Sequence, residues 1–76
     1  MEHDEISKSA LNTLKTAGEP LETKEVQEKI MQHIKTVTRA KLFYRLTMLR
    51  ADGKVHGKSV GSGKGVWIWW DGCNKE

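Results

Sequence analysis

The sequence predicts an α+β fold in which three helices precede a C-terminal β-hairpin. Three stretches with apolar residues three or four positions apart indicate the helices. Beyond them, alternating residues and a cluster of glycines indicate two strands joined by a turn. The chain of 76 residues is expected to form a single domain spanning 1–76, with its core in about 5–70 and a frayed tail at 71–76.

The first helix is predicted over residues 5–17. Asp4 is the expected N-cap, and Gly18 followed by Pro20 ends the helix. Its apolar stripe consists of Ile6, Ala10, Leu11 and Leu14.

The second helix is predicted to begin at an N-cap on Thr23 and to run to about His33. Its acidic residues lie outside the apolar stripe, which predicts a solvated opposite face. The stripe consists of Val26, Ile30 and Ile34.

The third helix is predicted to be capped by Thr36 or Thr38 and to end at Gly53. A rotation of about 100° per residue groups four apolar side chains on one arc, which we expect to face the core. The arc consists of Leu42, Phe43, Leu46 and Leu49. The opposite face is basic, aromatic and small, and it carries no acid before Asp52.

The hairpin is predicted from strands at about 54–60 and 65–70 and a turn at 61–64. Alternation places Val66, Ile68 and Trp70 on one face of the second strand and Trp67 and Trp69 on the other. We expect Trp70 with Ile68 to close the core, and the alternative register buries Trp67 and Trp69.

Positive charge is concentrated between Lys35 and Lys64, where eight basic residues and one acid give a net charge of +7 in a chain whose total is +3. So many like charges repel one another, and the commonest reason to hold them together is to neutralise a polyanion. The alternative is a solvated surface with no partner.

Composition lowers the prior for several other classes of protein. One cysteine, Cys73, excludes an internal disulfide and a zinc site built on several cysteines, and the histidines lie in different predicted elements. No side chain has an evident catalytic partner, so we expect no enzyme, no metal and no cofactor. The longest apolar run has five residues, too few to cross a membrane. A cytoplasmic protein is expected, associated with the nucleoid if its source is bacterial or archaeal.

Two spacings resemble those of a known family. Leu42-x3-Leu46-x2-Leu49-x3-Gly53-x-Val55 is similar to the recognition helix and first wing strand of winged helix-turn-helix domains. Upstream, Gly18-x-Pro20-Leu21-x-Thr23-x2-Val26-x3-Ile30 resembles the passage from helix 1 into helix 2 of that family. The basic, Gly-rich turn before an aromatic strand resembles the wing. The link between Ile30 and Leu42 is slightly longer than the family's pattern.

The resemblance implies a small protein that binds double-stranded DNA, a transcriptional regulator with helix 3 in the major groove and the wing on the adjacent backbone. Side chains on helix 3 would meet base edges, and both helix starts and the wing would meet phosphates. The implied DNA-binding residues are Thr23, Lys24, Thr38, Arg39, Lys41, Tyr44, Arg45, Lys58, Ser62 and Lys64.

Two alternatives stay open at this stage. The chain could be a protein interaction module that docks through the Trp-rich strand at Trp67 and Trp69 or through the acidic faces of helices 1 and 2, or it could pair with a second copy through the same tryptophans. The same basic face could instead recognise RNA or DNA that is not B-form, because the fold alone does not select the ligand.

Overall fold

The structure, a computed structural model, describes residues 5–61 and 66–72, and these ranges contain six elements. The elements are α1 (Glu5–Ala17), β1 (Leu21–Glu22), α2 (Thr23–Ile30), α3 (Arg39–Ala51), β2 (Val55–Val60) and β3 (Val66–Asp71). The prediction of an α+β fold with three helices and a C-terminal hairpin is confirmed. Within the described ranges, no helix combines the length and the apolar character needed to cross a bilayer.

The first helix has the predicted bounds. Ala10 and Leu14 are buried, and Ile6 and Leu11 pack against the core at partial exposure. Gly18 follows the helix with a φ of 72°, a backbone conformation that glycine adopts without steric cost. The expected cap, Asp4, lies outside the described residues.

The second helix differs from the prediction at both ends. Its N-cap is Glu22, one residue before the predicted Thr23, and the Glu22 N–H donates to Glu25 Oε1 at 2.8 Å. The helix ends at Ile30 rather than near His33, because the bonds beyond it tighten to a spacing of three residues: the Gln32 N–H donates to the Lys29 carbonyl at 3.4 Å and the His33 N–H to the Ile30 carbonyl at 2.8 Å.

The third helix is capped as predicted. Thr38 Oγ1 accepts a hydrogen bond from the Lys41 N–H at 3.1 Å, and Gly53 follows the helix with a φ of 79°. Leu42, Leu46 and Leu49 of the predicted arc are fully buried. Phe43 is the exception at 36% exposed, because it lies at the edge of the arc and contacts the sheet through its ring edge.

The sheet has the strand order β1-β3-β2, with both pairings antiparallel, so the last strand in the sequence is central. The two-residue strand β1 was not predicted. It pairs Leu21 with Trp69 and Glu22 with Ile68. Residues paired across antiparallel strands lie on the same face of the sheet, and the pair Leu21 and Trp69 is buried. Because side chains alternate along a strand, Trp67 and Trp69 face the helices. Ile68 and Trp70 face away from them.

The register therefore corrects the expected core. Trp69, not Trp70, is the large buried side chain, with 1% of its surface exposed. Its indole N–H donates to Thr23 Oγ1 at 2.8 Å, and Gly57 leaves space for its ring across the strand pair. The alternative register, with Trp67 and Trp69 inward, is confirmed. The other core members are Ala10, Leu14, Leu21, Val26, Ile30, Val37, Leu42, Leu46, Leu49 and Val55.

Candidate nucleic-acid interface

The face of α3 opposite the core is open to solvent. Tyr44 at its centre is 60% exposed, and Ala40 and Thr47 beside it are exposed. Lys41 is exposed on one flank of this face. Because the chain has no acid from Arg39 through Ala51, the face presents donors and apolar groups without a carboxylate to repel phosphates.

Arg45 is half-buried and contacts the neighbouring tyrosine. Its Cζ lies 5.7 Å from the centroid of the Tyr44 ring. A guanidinium over an aromatic face is attracted by the ring quadrupole. The contact favours one orientation for the phenol, so Tyr44 and Arg45 present a joined polar surface on α3.

The start of α3 is tied to α2. Arg39 Nε donates to Gln27 Oε1 at 3.0 Å, which leaves the terminal guanidinium nitrogens of Arg39 for a ligand. Gln27 Nε2 also donates to the Val37 carbonyl at 3.4 Å. The Thr38 hydroxyl is used as the helix cap, so the donors that this helix start offers are its first backbone N–H groups.

The start of α2 contributes one of its two predicted site residues to the surface. Lys24 is exposed. Thr23 is only 8% exposed, and its hydroxyl accepts from Trp69, so its side chain lies in the core and not on the candidate interface. Lys24 and Arg39 meet at a surface groove of about 640 Å³ between the two helix starts and the first residues of β3. The residues that line it are Glu22, Thr23, Lys24, Arg39, Ala40, Phe43, Val66 and Trp67.

An aromatic cluster joins α3 to the hairpin. Phe43 meets Trp67 and Trp69 edge-on, with ring centroids 6.0 and 5.7 Å apart, and the two indoles stack at 5.4 Å. Arg50 Cζ lies 5.5 Å from the centroid of the Trp67 ring. These contacts hold the first half of β3 against α3.

Arg50, which contacts this cluster, was not among the site residues predicted from the sequence. Seven residues after Phe43, it falls about 20° away on the helix, so the same rotation that placed Phe43 could have placed Arg50 beside the strand. The contact of Arg50 with Trp67 depends on the sheet register, so the sequence around Arg50 does not indicate it.

The predicted wing residues lie in different environments. Lys58 pairs with Ile68, so its side chain is on the sheet face away from α3, and it does not join Lys41 and Arg45. Ser62 and Lys64, the predicted residues of the wing tip, lie outside the described residues and stay predictions.

Trp67 and Trp69 are not an open docking strand. Trp69 is 1% exposed, and Trp67 is half-buried between its aromatic neighbours and Arg50. The expectation of a partner surface at these two residues is therefore wrong for Trp69, because the sheet turns it into the core.

Comparison with solved structures places this architecture. The chain superposes over 100% of its length on the ferric uptake regulator Fur of Helicobacter pylori, with a TM-score of 0.85 and 14% identity. This fold is a winged helix-turn-helix. The chain covers 49% of that Fur chain, so it spans about half of its length. The Fur structure is described as having three functional metal-binding sites; in residues 5–61 and 66–72 of the present chain, no three His, Cys, Asp or Glu side chains group as metal ligands.

A second solved structure has the same fold. HOP2, described by its DNA recognition and protein interaction domains and its homologous DNA pairing properties, matches 87% of this chain and 97% of its own, with a TM-score of 0.74 and 19% identity. No family model matches the sequence, and a comparison with curated proteins finds no match. At these identities the likeness establishes the winged-helix fold alone.

Proposed function

We propose that the chain is a small duplex-DNA-binding protein that regulates transcription by placing α3 in the major groove. The observation that supports this most is the open face of α3, with Tyr44 at its centre, Lys41 and Arg45 beside it and no acid along the helix. A major groove admits an α-helix, and Lys and Arg donate to guanine O6 and N7.

The flanks of α3 supply the phosphate contacts of this proposal. Lys24 and Arg39 border the groove at the two helix starts, and Arg50 lies at the other end of α3 beside Trp67. Charged side chains on both ends of a docked helix fix its position through the DNA backbone, whereas base contacts set the sequence. The wing tip, with Ser62 and Lys64, would add contacts to the adjacent backbone.

The proposal is tested by measuring duplex affinity against salt by fluorescence anisotropy. Each neutralised phosphate contributes about −0.9 to the slope of log K against log salt, so five contacts would lower affinity roughly 500-fold between 50 and 200 mM salt. An RNA duplex should compete poorly, because its major groove is too narrow for a helix. Absence of duplex binding at low salt, or tighter binding to RNA, would contradict the proposal.

Variants locate the interface. Lys41→Ala and Arg45→Ala should each lower the preference for a selected sequence over a random one by about 5- to 150-fold if they contact a base. Lys8→Ala, which removes an exposed lysine from α1, is the matched control for charge and should leave affinity nearly unchanged. Equal losses for Lys8→Ala and Lys41→Ala would indicate non-specific attraction by net charge.

The regulatory part of the proposal has its own test. A DNA-binding regulator would act in the cytoplasm on the nucleoid if the source is bacterial or archaeal. Chromatin immunoprecipitation should then recover discrete sites near promoters, and uniform coverage of the genome would instead indicate an architectural protein.

A further inference from the structure

The outer face of the sheet, which points away from the helices, is unusually apolar. Antiparallel sheets with one covered face normally alternate apolar and polar residues. In β3 the outward positions are Val66, Ile68 and Trp70, and Val60 is the outward partner of Val66. Val66 is 41% exposed, and Ile68 and Trp70 are half-buried. An apolar run on both faces of a strand is typical of a strand covered on both sides, and here the outer face is covered only in part.

A groove of about 570 Å³ lies between this face and the end of α1 with the link that follows it. Its floor is apolar, formed by Ile68 and Trp70, and its rim carries both signs of charge. The residues that line it are Leu14, Lys15, Gly18, Glu19, Pro20, Lys58, Ile68, Trp70 and Asp71. Balanced charge at the rim disfavours a polyanion, so this groove does not fit the ligand that we propose for α3.

The charges are placed on opposite flanks of the apolar floor. β3 is central, so β2 with Lys58 lies on one side of Ile68, and β1, which Glu19 precedes, lies on the other. The register continues this arrangement across the sheet, where Glu22, Ile68 and Lys58 form one row. A row that runs across the sheet from an acid through an apolar residue to a cation is complementary to a second copy of itself related by a two-fold rotation.

We propose that this face, the outer-sheet surface, binds a second copy of the chain. The two sheets pack face to face about a two-fold axis parallel to β3, which sets the β2 flank of each copy against the β1 flank of the other. Lys58 then faces the acidic β1 flank of the second copy, which carries Glu22 in the row of Ile68 and Glu19 three residues before it, and Ile68 packs on Ile68. An isologous contact of this kind requires one self-complementary patch, which the row provides. The contact uses none of the residues proposed for DNA binding on α3, so it does not rest on the proposed function.

The area of the surface sets the expected strength of association. Strands β2 and β3 have six residues each and are about 20 Å long, and β1 has two, so at a spacing of about 4.8 Å the face measures roughly 220 Å². A standard stable interface buries about 800 Å² per partner, so the rim from Lys15 to Pro20 must contribute and the dimer should be weak. We expect dissociation constants between about 10 μM and 1 mM, where rim charges alter affinity measurably.

Analytical ultracentrifugation of the whole chain from 10 μM to 1 mM tests the proposal. The dimer fraction should rise with concentration. Lys58→Glu and Glu19→Lys should each raise the dissociation constant at least fivefold, and the double variant should restore it to within about twofold. Lys54→Glu, an exposed lysine before β2 that does not line the groove, and Glu28→Lys on α2 are controls with the same changes in charge.

The outcomes separate clearly. The proposal is supported if each single variant weakens the dimer, the double variant restores its affinity, and the circular dichroism spectrum of all three is unchanged. A chain that stays monomeric at 1 mM overturns it and leaves the surface to a partner of different sequence. A dimer that responds equally to Lys54→Glu and Lys58→Glu, or that is not rescued by the double change, also overturns it, because another surface must then be in contact.

Discussion

The two faces of β3 carry similar side chains in opposite surroundings. Trp69 faces the helices and is 1% exposed, whereas the next residue, Trp70, faces away and lies half-buried beside His56. Partners outside the strand account for the difference, since Gly57 leaves space for the Trp69 ring and Thr23 accepts its N–H. Cross-strand and helix partners therefore decide which tryptophan is core when a strand is apolar on both faces.

The largest test of this comparison truncates each tryptophan in turn. Trp69→Ala should lower the free energy of unfolding by about 3–5 kcal/mol, because it leaves a cavity at the centre of the core. Trp70→Ala should lower it by roughly 1 kcal/mol, because the side chain is only half-buried. Urea denaturation at low micromolar concentration measures both, and equal losses would show that the two faces are energetically alike.

The space at Gly57 is the second test. A Cβ there would lie 2.5 Å from Trp69 Cε3, so Gly57→Ala must displace a fully buried ring. We expect a loss of about 1–3 kcal/mol in the free energy of unfolding. Ser59→Ala, two residues along the same face of β2, is the control and should change stability by less than about 0.5 kcal/mol. A neutral Gly57→Ala would mean that the Trp69 ring can shift freely.

The third test removes the hydrogen bond between Trp69 and Thr23. Thr23→Val keeps the shape of the side chain but leaves the buried indole N–H of Trp69 without its acceptor, which should cost roughly 1–2 kcal/mol. Thr23→Ser retains the hydroxyl and should recover most of that loss. Thermal denaturation followed by tryptophan fluorescence compares the two, and identical stabilities would remove this bond as a reason for the burial of Trp69.

The smallest effect concerns the link between α3 and the hairpin. Arg50→Gln removes the cation beside the Trp67 ring and should cost about 0.5–1 kcal/mol in the free energy of unfolding. Lys54→Gln makes the same change of charge at an exposed position and serves as the control. A shift of the Trp67 indole resonance in Arg50→Gln alone would confirm the contact. Equal small losses of stability in both variants would show that Arg50 is a solvated residue with no stabilising contact.

Helix positions were largely predictable because their signals are local. The bounds of α1, the cap on Thr38 and the stop at Gly53 follow from apolar spacing and from residues adjacent in sequence. The N-cap of α2 was misplaced by one residue, because Glu22 and Thr23 are both polar and the reciprocal bond with Glu25 decided between them.

The sheet and the candidate interface were less predictable because they depend on distant partners. The strand β1 exists only through pairing with β3, and the inward face of β3 is set by that same register. Lys41, Tyr44 and Arg45 were found from helix rotation, whereas the burial of Thr23, the side of the sheet taken by Lys58 and the contact of Arg50 with Trp67 all follow from tertiary packing.

The central position of β3 has a consequence for biosynthesis. Because this strand lies between β1 and β2 and supplies Trp69, a nascent chain that has not yet emerged through residue 71 lacks the middle of its sheet and its largest core side chain. Its three helices would leave the ribosome first, with their apolar stripes uncovered. The domain should therefore acquire its tertiary structure in one late step, after β3 clears the exit tunnel, and a ribosome stalled before that point would hold a substrate for chaperones.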